Sequence, residues 1–146
     1  MKIIFCLSIY LSLLANNYYT EAGKYYDVNP ILLYAIAQIE SNENPTAINC
    51  KNKNKSCDYG IMQINSIHLP FLSKYNISKQ ELFNPRTNIF IGAWVLKTCI
   101  NKYGFTYKSI NCYNGKIDNN DYYKKVLNKY EYIINNIKDE IHVQKD

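Results

Sequence analysis

The chain has 146 residues, 47% of them hydrophobic and 20% charged, with a formal net charge of +5. That length suits one domain, and that composition is ordinary for a globular protein. The positive charge suits an anionic partner such as bacterial wall or nucleic acid. Nucleic acid is set aside because Arg86 is the only arginine and no basic run with interleaved aromatics occurs.

Residues 1–15 read as a signal peptide: Lys2 gives a positive start, Ile3 to Leu14 is apolar, and Ala15 precedes a cleavage point. The run is shorter than the ~20 residues that span a bilayer as a helix. An uncleaved anchor is the alternative, and Leu13 leaves the cut itself open. Cys6 sits too early for a lipid attachment. Cleavage lowers the net charge from +5 to +4 and predicts a periplasmic or otherwise exported protein with no stable membrane span.

A globular domain is expected over residues 16–137, with a polar tail at 138–146 that frays. Its first helix spans Tyr18 to Tyr26. Asn29-Pro30 caps and opens a second helix, whose stripe is Ile31, Leu32, Ala35, Ile36 and Ile39. Asn42, Asn44 and Pro45 stop it near Ser41, which puts Glu40 at its C-terminal end. Residues 46–59 are rich in Lys and Asn and read as a loop or small β-hairpin. Gly60 to Asn65 leads into a short helix from Ile67 to Leu72.

Ser78 to Glu81 has capping-box spacing for a helix ending at Phe83. Asn84-Pro85 opens a long helix with a stripe of Ile89, Ala93, Leu96, Ile100 and Tyr103, ended by Gly104. Thr106 caps another short helix before the Tyr113-Asn114-Gly115 turn. A final helix, about Asp121 to Ile137, turns Val126, Leu127, Tyr130, Ile133, Ile134 and Ile137 inward. The fold class is α+β, predominantly α-helical.

Cys50, Cys57, Cys99 and Cys112 follow the signal segment, and an even count in an exported chain argues for disulfides. Neither pair has zinc-knuckle spacing, and His68 and His142 are isolated, so no metal and no cofactor are expected. Three pairings are possible; Cys50–Cys57 and Cys99–Cys112 are favoured because each closes a local loop.

Glu40 is the sharpest chemical candidate. Apolar neighbours and the partial negative charge of a helix C-terminus both raise a carboxyl pKa, which is what a general acid needs. A solvated helix-end residue is the bland alternative. Glu43 and Asp58 are nearby carboxylates that read first as solvated loop charges. The chain has no Gly-x-Ser-x-Gly elbow and no phosphate-cradling glycine loop.

Three stretches, in order, resemble the signatures of lytic transglycosylases: Ala35 to Asn49 around Glu40-Ser41, Gly60-Ile61-Met62-Gln63-Ile64-Asn65, and Tyr113-Asn114-Gly115. Asn84 to Trp94 resembles the long helix between them. The match runs from about Tyr18 to Tyr132 and is nearest the small members associated with invasion loci, secretion systems and conjugation. The resemblance implies a lysozyme-like single domain of the transglycosylase SLT type acting on peptidoglycan glycan strands.

It implies that Glu40 protonates the bond between N-acetylmuramic acid and N-acetylglucosamine. The substrate's acetamido group then attacks, and the sugar's 6-hydroxyl closes a 1,6-anhydro ring. Tyr113 would orient Glu40 by a hydrogen bond. Gln63 would bind the acetamido group, with Ser41, Asn49, Met62, Asn65 and Asn114 beside the substrate. Met62 reads first as a packing residue that lines the cleft; for Ser41 capping or packing, and for Asn65 a turn role, serve equally.

Three departures stand out. No small residue separates Asn114 from Gly115. Tyr18 and Arg86 stand where small relatives often carry cysteines. Asp58 or Glu43, if it faced water across the bond, would allow ordinary hydrolysis. The competing functions are therefore a lysozyme-type hydrolase and a non-catalytic wall-binding assembly protein. Recruitment by secretion or conjugation apparatus proteins follows from resemblance alone.

Overall fold

A computed structural model describes residues 18–143. The expected signal segment with Cys6, and residues 144–146 of the expected tail, lie outside the described residues.

Helix α1 (Tyr18–Tyr26) leads into α2 (Pro30–Ser41). The Asn29 side chain caps α2 by accepting from the backbone N–H groups of Ile31 (2.8 Å) and Leu32 (3.3 Å), with Pro30 behind it. Asn42 ends the helix in the left-handed conformation at φ 52°. The expected stripe on α2 is too narrow: Leu32 through Ala37 are all buried. The helix is central, packed by α1 and the later helices, so burial runs round its circumference.

Two-residue strands β1 (Ile48–Asn49), β2 (Asp58–Tyr59) and β3 (Ile64–Asn65) form an antiparallel sheet in that order. A 3₁₀ turn (Ser66–His68), the short α3 (Leu69–Leu72) and a 3₁₀ turn (Gln80–Phe83) follow. The capping box forms in part: the Glu81 carboxylate accepts from both the backbone N–H and the hydroxyl of Ser78, but the turn starts one residue later.

The long helix α4 (Pro85–Tyr103) is capped by Asn84, which accepts from the Thr87 N–H, and closed by Gly104 at φ 68°. Its Ile89, Ala93 and Leu96 are fully buried. Thr106 caps α5 (Tyr107–Tyr113).

The last helix, α6 (Tyr122–Val143), runs beyond the expected end at residue 137 and through the start of the expected tail. Its core seam is Val126, Tyr130, Ile133 and Ile137, a four-three-four spacing, and the helix packs chiefly on α2 and also on α5. Leu127 falls beside that seam and is 37% exposed, contrary to the inward position expected for it.

Both favoured disulfides are present. Cys50–Cys57 closes the hairpin and Cys99–Cys112 joins α4 to α5. Arg86 Nε meets Glu21 Oε2 at 3.1 Å and ties α4 to α1. Among the described residues no helix is long and apolar enough to cross a membrane.

Candidate active site

A cleft of about 1030 Å³ opens between the sheet and the helices, and Glu40, Asn49, Asp58, Gln63, Tyr113 and Trp94 are among its walls. The Gly60–Asn65 segment explains how one wall is set. Gly60 has φ 74°, and a Cβ there would meet the Leu82 carbonyl at 2.4 Å and Asn88 Nδ2 at 2.5 Å. Asn88, itself buried, accepts from the Met62 N–H (2.7 Å) and donates to the carbonyls of Tyr59 (2.9 Å) and Leu82 (2.7 Å). Met62 packs so closely on Gly92 that a Cβ at Gly92 would lie 2.7 Å from it. The loop is thus clamped to α4, and Gln63, at φ 48°, is turned toward the cleft.

Glu40 sits one residue from the end of α2. Burial pushes its carboxyl up to about 7, and the charge of Asp58 adds to the rise. A hydrogen bond from Tyr122 works in the opposite direction. Tyr122 donates to Glu40 Oε1 and is itself buried. This corrects the expectation for Tyr113, whose hydroxyl donates instead to the Met62 carbonyl at 2.8 Å. Tyr113 still lines the cleft, and its phenol is pushed far up by burial, with the Glu40 charge next in importance.

Nothing in the sequence singled out Tyr122 from the 15 tyrosines. Its placement comes from the loop after α5. Asn111, buried, donates to the carbonyls of Ile117 and Asn120 (both 2.9 Å) and accepts from the Tyr123 N–H (2.9 Å). Asn120 Oδ1 accepts from the Tyr122 N–H at 3.1 Å and starts α6 there. Gly115, directly after Asn114, has a φ of 82° and turns the chain. Asn114 caps α5, accepts from Asn120 Nδ2 at 3.3 Å and reaches the cleft.

Strand register gathers the polar wall. Asn49, Asp58 and Asn65 are aligned across the three strands, so their side chains share one face. Asp58 accepts from the amides of Asn65 (2.7 Å), Asn52 (2.9 Å) and Asn49 (3.3 Å). It is a positioned carboxylate at the cleft wall, not the solvated loop charge first read there. Asn65 also caps the next turn by accepting from the Ile67 N–H at 3.0 Å, the turn role its spacing allowed. Gln63 Nε2 donates to the carbonyls of Gly60 (3.0 Å) and Ala47 (3.3 Å).

Two residues expected beside the substrate are elsewhere. The Met62 side chain is fully buried against Gly92 and forms no part of the cleft wall. Ser41 uses its hydroxyl to donate to the Ile61 carbonyl (2.7 Å) and accept from the Asn44 N–H (3.0 Å), joining the end of α2 to the clamped loop. Glu43 accepts from Gln38 (3.0 Å) and Tyr19 (3.2 Å) and is also outside the cleft wall. Among the described residues no group of three or more His, Cys, Asp or Glu is gathered as a metal site would need.

The cleft thus holds a buried carboxyl with a raised pKa at the end of α2, beside the polar wall of the small sheet. The transglycosylase SLT domain profile matches residues 17–135. The chain belongs to the transglycosylase SLT domain family. Its lysozyme-like α+β fold and its resemblance to lytic transglycosylases follow from that membership. One relative in the curated set is the "Peptidoglycan-binding-like protein" of Escherichia coli O157:H7, 40% identical over 121 residues, 76% of this chain and 72% of the relative. The "Invasion protein IagB" of Salmonella typhi is 40% identical over 95 residues, 64% of this chain and 59% of that protein. "Protein IpgF" of Shigella flexneri is 37% identical over 95 residues, 64% of this chain and 62% of that protein. This SLT-family chain therefore spans under two thirds of the two latter relatives.

Proposed function

We propose that this SLT-family protein is an exported lytic transglycosylase that cleaves the β-1,4 bond between N-acetylmuramic acid and N-acetylglucosamine, with Glu40 as its acid and then its base. The observation that carries this reading is the Glu40 carboxyl pushed up to about 7 inside the cleft. A pKa near the working pH suits a group that must first give and then take a proton. Tyr122 holds the carboxyl by its hydrogen bond, and Tyr113 fixes the adjacent loop through the Met62 carbonyl.

In the first step Glu40 protonates the glycosidic oxygen while the acetamido carbonyl attacks the anomeric carbon, so no second protein nucleophile is needed, an exception to the two-carboxylate pattern. In the second, the Glu40 carboxylate takes the proton of the sugar's 6-hydroxyl, whose oxygen attacks the anomeric carbon, displaces the acetamido oxygen to restore the acetamide, and closes the 1,6-anhydro ring. Well-oriented intramolecular attack can reach effective molarities of about 10⁵ M or more. Gln63, Asn49, Asn65 and Asn114 are the candidate polar contacts for the substrate. A role in opening the wall locally for a secretion or conjugation apparatus is supported by the name of the Salmonella relative, an invasion protein.

Asp58 favours one second reading. It faces the same cleft with three amide partners, and an ionised carboxylate has about four lone-pair sites. A remaining site could hold an attacking water and make the enzyme a lysozyme-type hydrolase. Mass spectrometry of digested peptidoglycan decides. The transglycosylase gives muropeptides with 1,6-anhydro ends, each lighter by one water than the hydrolysis product. Predominant reducing ends make the hydrolase right. Glu40→Gln, nearly isosteric, is expected to keep the fold and lose roughly 10²-fold or more of the lysis rate; undiminished lysis sinks both readings.

A further inference from the structure

The cleft wall carries two cations for which the proposed reaction has no step. Lys53 and Lys102 line it together with the carboxyl groups of Glu40 and Asp58. The two lysines come from opposite walls. Lys53 stands in the loop between β1 and β2, and Lys102 in the last turn of α4. Both are exposed, so they belong to the rim of the cleft and not to its floor.

Their backbones are fixed before any ligand arrives. The Cys50–Cys57 bridge closes the loop that carries Lys53. On either side of Lys53, Asn52 donates to Asp58 at 2.9 Å, and Asn54 accepts from the N–H (3.1 Å) and the hydroxyl (2.6 Å) of Ser56. The Cys99–Cys112 bridge fastens α4 to α5 about one turn before Lys102. Only the two side chains remain to be ordered, which limits the cost of binding.

The cleft carboxyl groups are engaged elsewhere. Asp58 is held by three amides and Glu40 by Tyr122. The ion pairs among the described residues use Arg86, Lys97 and Lys124. The Lys102 ammonium lies 5.2 Å from the centre of the Tyr103 ring, a weak contact at an exposed site. Each ammonium offers three donors, and like charges on two sides of a groove favour an anion between them.

A strand seated at Glu40 brings such an anion. In peptidoglycan every second sugar carries a lactyl ether that continues into a short peptide with free carboxylates. With the sugar ring in the cleft, that substituent must leave over the rim, where the lysines stand. A neutral glycan would leave both ammonium groups unused.

We propose that Lys53 and Lys102 form a two-sided cationic clasp for the stem-peptide carboxylates of the glycan strand, so that the cleft prefers peptide-bearing strands to uncharged ones. This rests on the reading of the cleft as a peptidoglycan site. The clasp acts on binding and takes no part in proton transfer at Glu40.

Affinity is measured by calorimetry in the Glu40→Gln protein, which is expected not to cleave its ligand. The probes are soluble strands with intact stems, the same strands with their carboxylates converted to neutral amides, and the neutral N-acetylglucosamine tetramer. Adding Lys53→Gln and Lys102→Gln together should weaken binding of intact strands roughly fivefold, equivalent to about 1 kcal/mol over two exposed ion pairs. For the amidated strands and the tetramer the change should stay below about twofold. Arginine at both positions should restore the affinity for intact strands. Raising salt from about 0.02 M to about 0.2 M should weaken the intact-strand complex and leave the amidated one unchanged.

An equal Kd for intact strands with and without the two lysines overturns the clasp. So does a loss of the same size on amidated strands, since the lysines would then not be reading charge on the stem. If Glu40→Gln cleaves strands as fast as wild type, the catalytic reading fails, while KM for intact against amidated strands still tests the clasp.

Discussion

On one side of the cleft, Trp94, Val95 and Thr98 stand on a helix whose other residues, Ile89, Ala93 and Leu96, are fully buried. On the other side, Asn49, Asn52 and Asp58 belong to a lobe of two-residue strands and loop, held by amide–carboxylate hydrogen bonds and the Cys50–Cys57 bridge. The helical wall gets its rigidity from apolar area removed from water, about 25 cal/mol per Å². The polar lobe has little such area, so it relies on directional bonds and a covalent loop closure. A site can therefore be fixed on both sides even when only one side has a core behind it. Asn88 is the joint between them: it stands on α4 and bonds the backbone at Tyr59 and Met62 in the lobe.

The strongest way to break the comparison is to cut that joint. Asn88→Ala leaves a buried N–H and two buried carbonyls without their partner. At about 1–3 kcal/mol for each unsatisfied group, a loss of roughly 3 kcal/mol or more is expected. Urea unfolding measures it; a change below about 1 kcal/mol would mean that the two walls are held independently.

The disulfides sharpen the contrast. Loop-closure entropy assigns about 3 kcal/mol to Cys99–Cys112 and about 2 kcal/mol to Cys50–Cys57, from separations of 13 and 7 residues. Yet the shorter loop lies in the wall without a core. Replacing Cys99 and Cys112 by Ser should cost more global stability. Replacing Cys50 and Cys57 should cost less stability but more substrate affinity. Denaturation curves and KM for glycan fragments, measured on both double variants, separate the effects; equal KM values would remove the distinction between the walls.

The smallest effect is expected where a residue from neither wall acts on the acid. Tyr122 lowers the Glu40 pKa through its hydrogen bond. Tyr122→Phe therefore raises that pKa, and the alkaline limb of the lysis–pH profile should move upward by up to about one unit. The maximum rate should fall as the carboxyl loses its orientation. A limb that stays in place, or moves to lower pH, rejects Tyr122 as the group that holds Glu40. For wild type, Glu40's folded pKa lies above its ordinary value of 4.5. Its favourable share of stability is then full below pH 4.5 and is lost as pH rises through about 7.

Much of this protein was determined by local sequence. Asn29-Pro30, Asn84-Pro85 and Thr106 mark helix starts, and Asn42 and Gly104 mark ends, because caps and left-handed residues act within one turn of chain. Both cysteine pairs were legible for a related reason, since each spans a short loop. Glu40's raised pKa was foreseeable from its apolar neighbours, though the added push from Asp58 was not.

Tertiary structure alone decided which hydroxyl meets Glu40. Tyr113 and Tyr122 lie 9 positions apart in a tyrosine-rich chain, and the choice depends on how Asn111 and Asn120 fold the loop between them. It also decided that Met62 faces Gly92 rather than the cleft, and that Asn49, Asp58 and Asn65 stand in one row. Side-chain periodicity and capping are short-range and can be read along the chain. Strand register, the packing of a residue against a helix 30 positions away, and the sharing of one carboxylate by three amides are set only when distant segments meet.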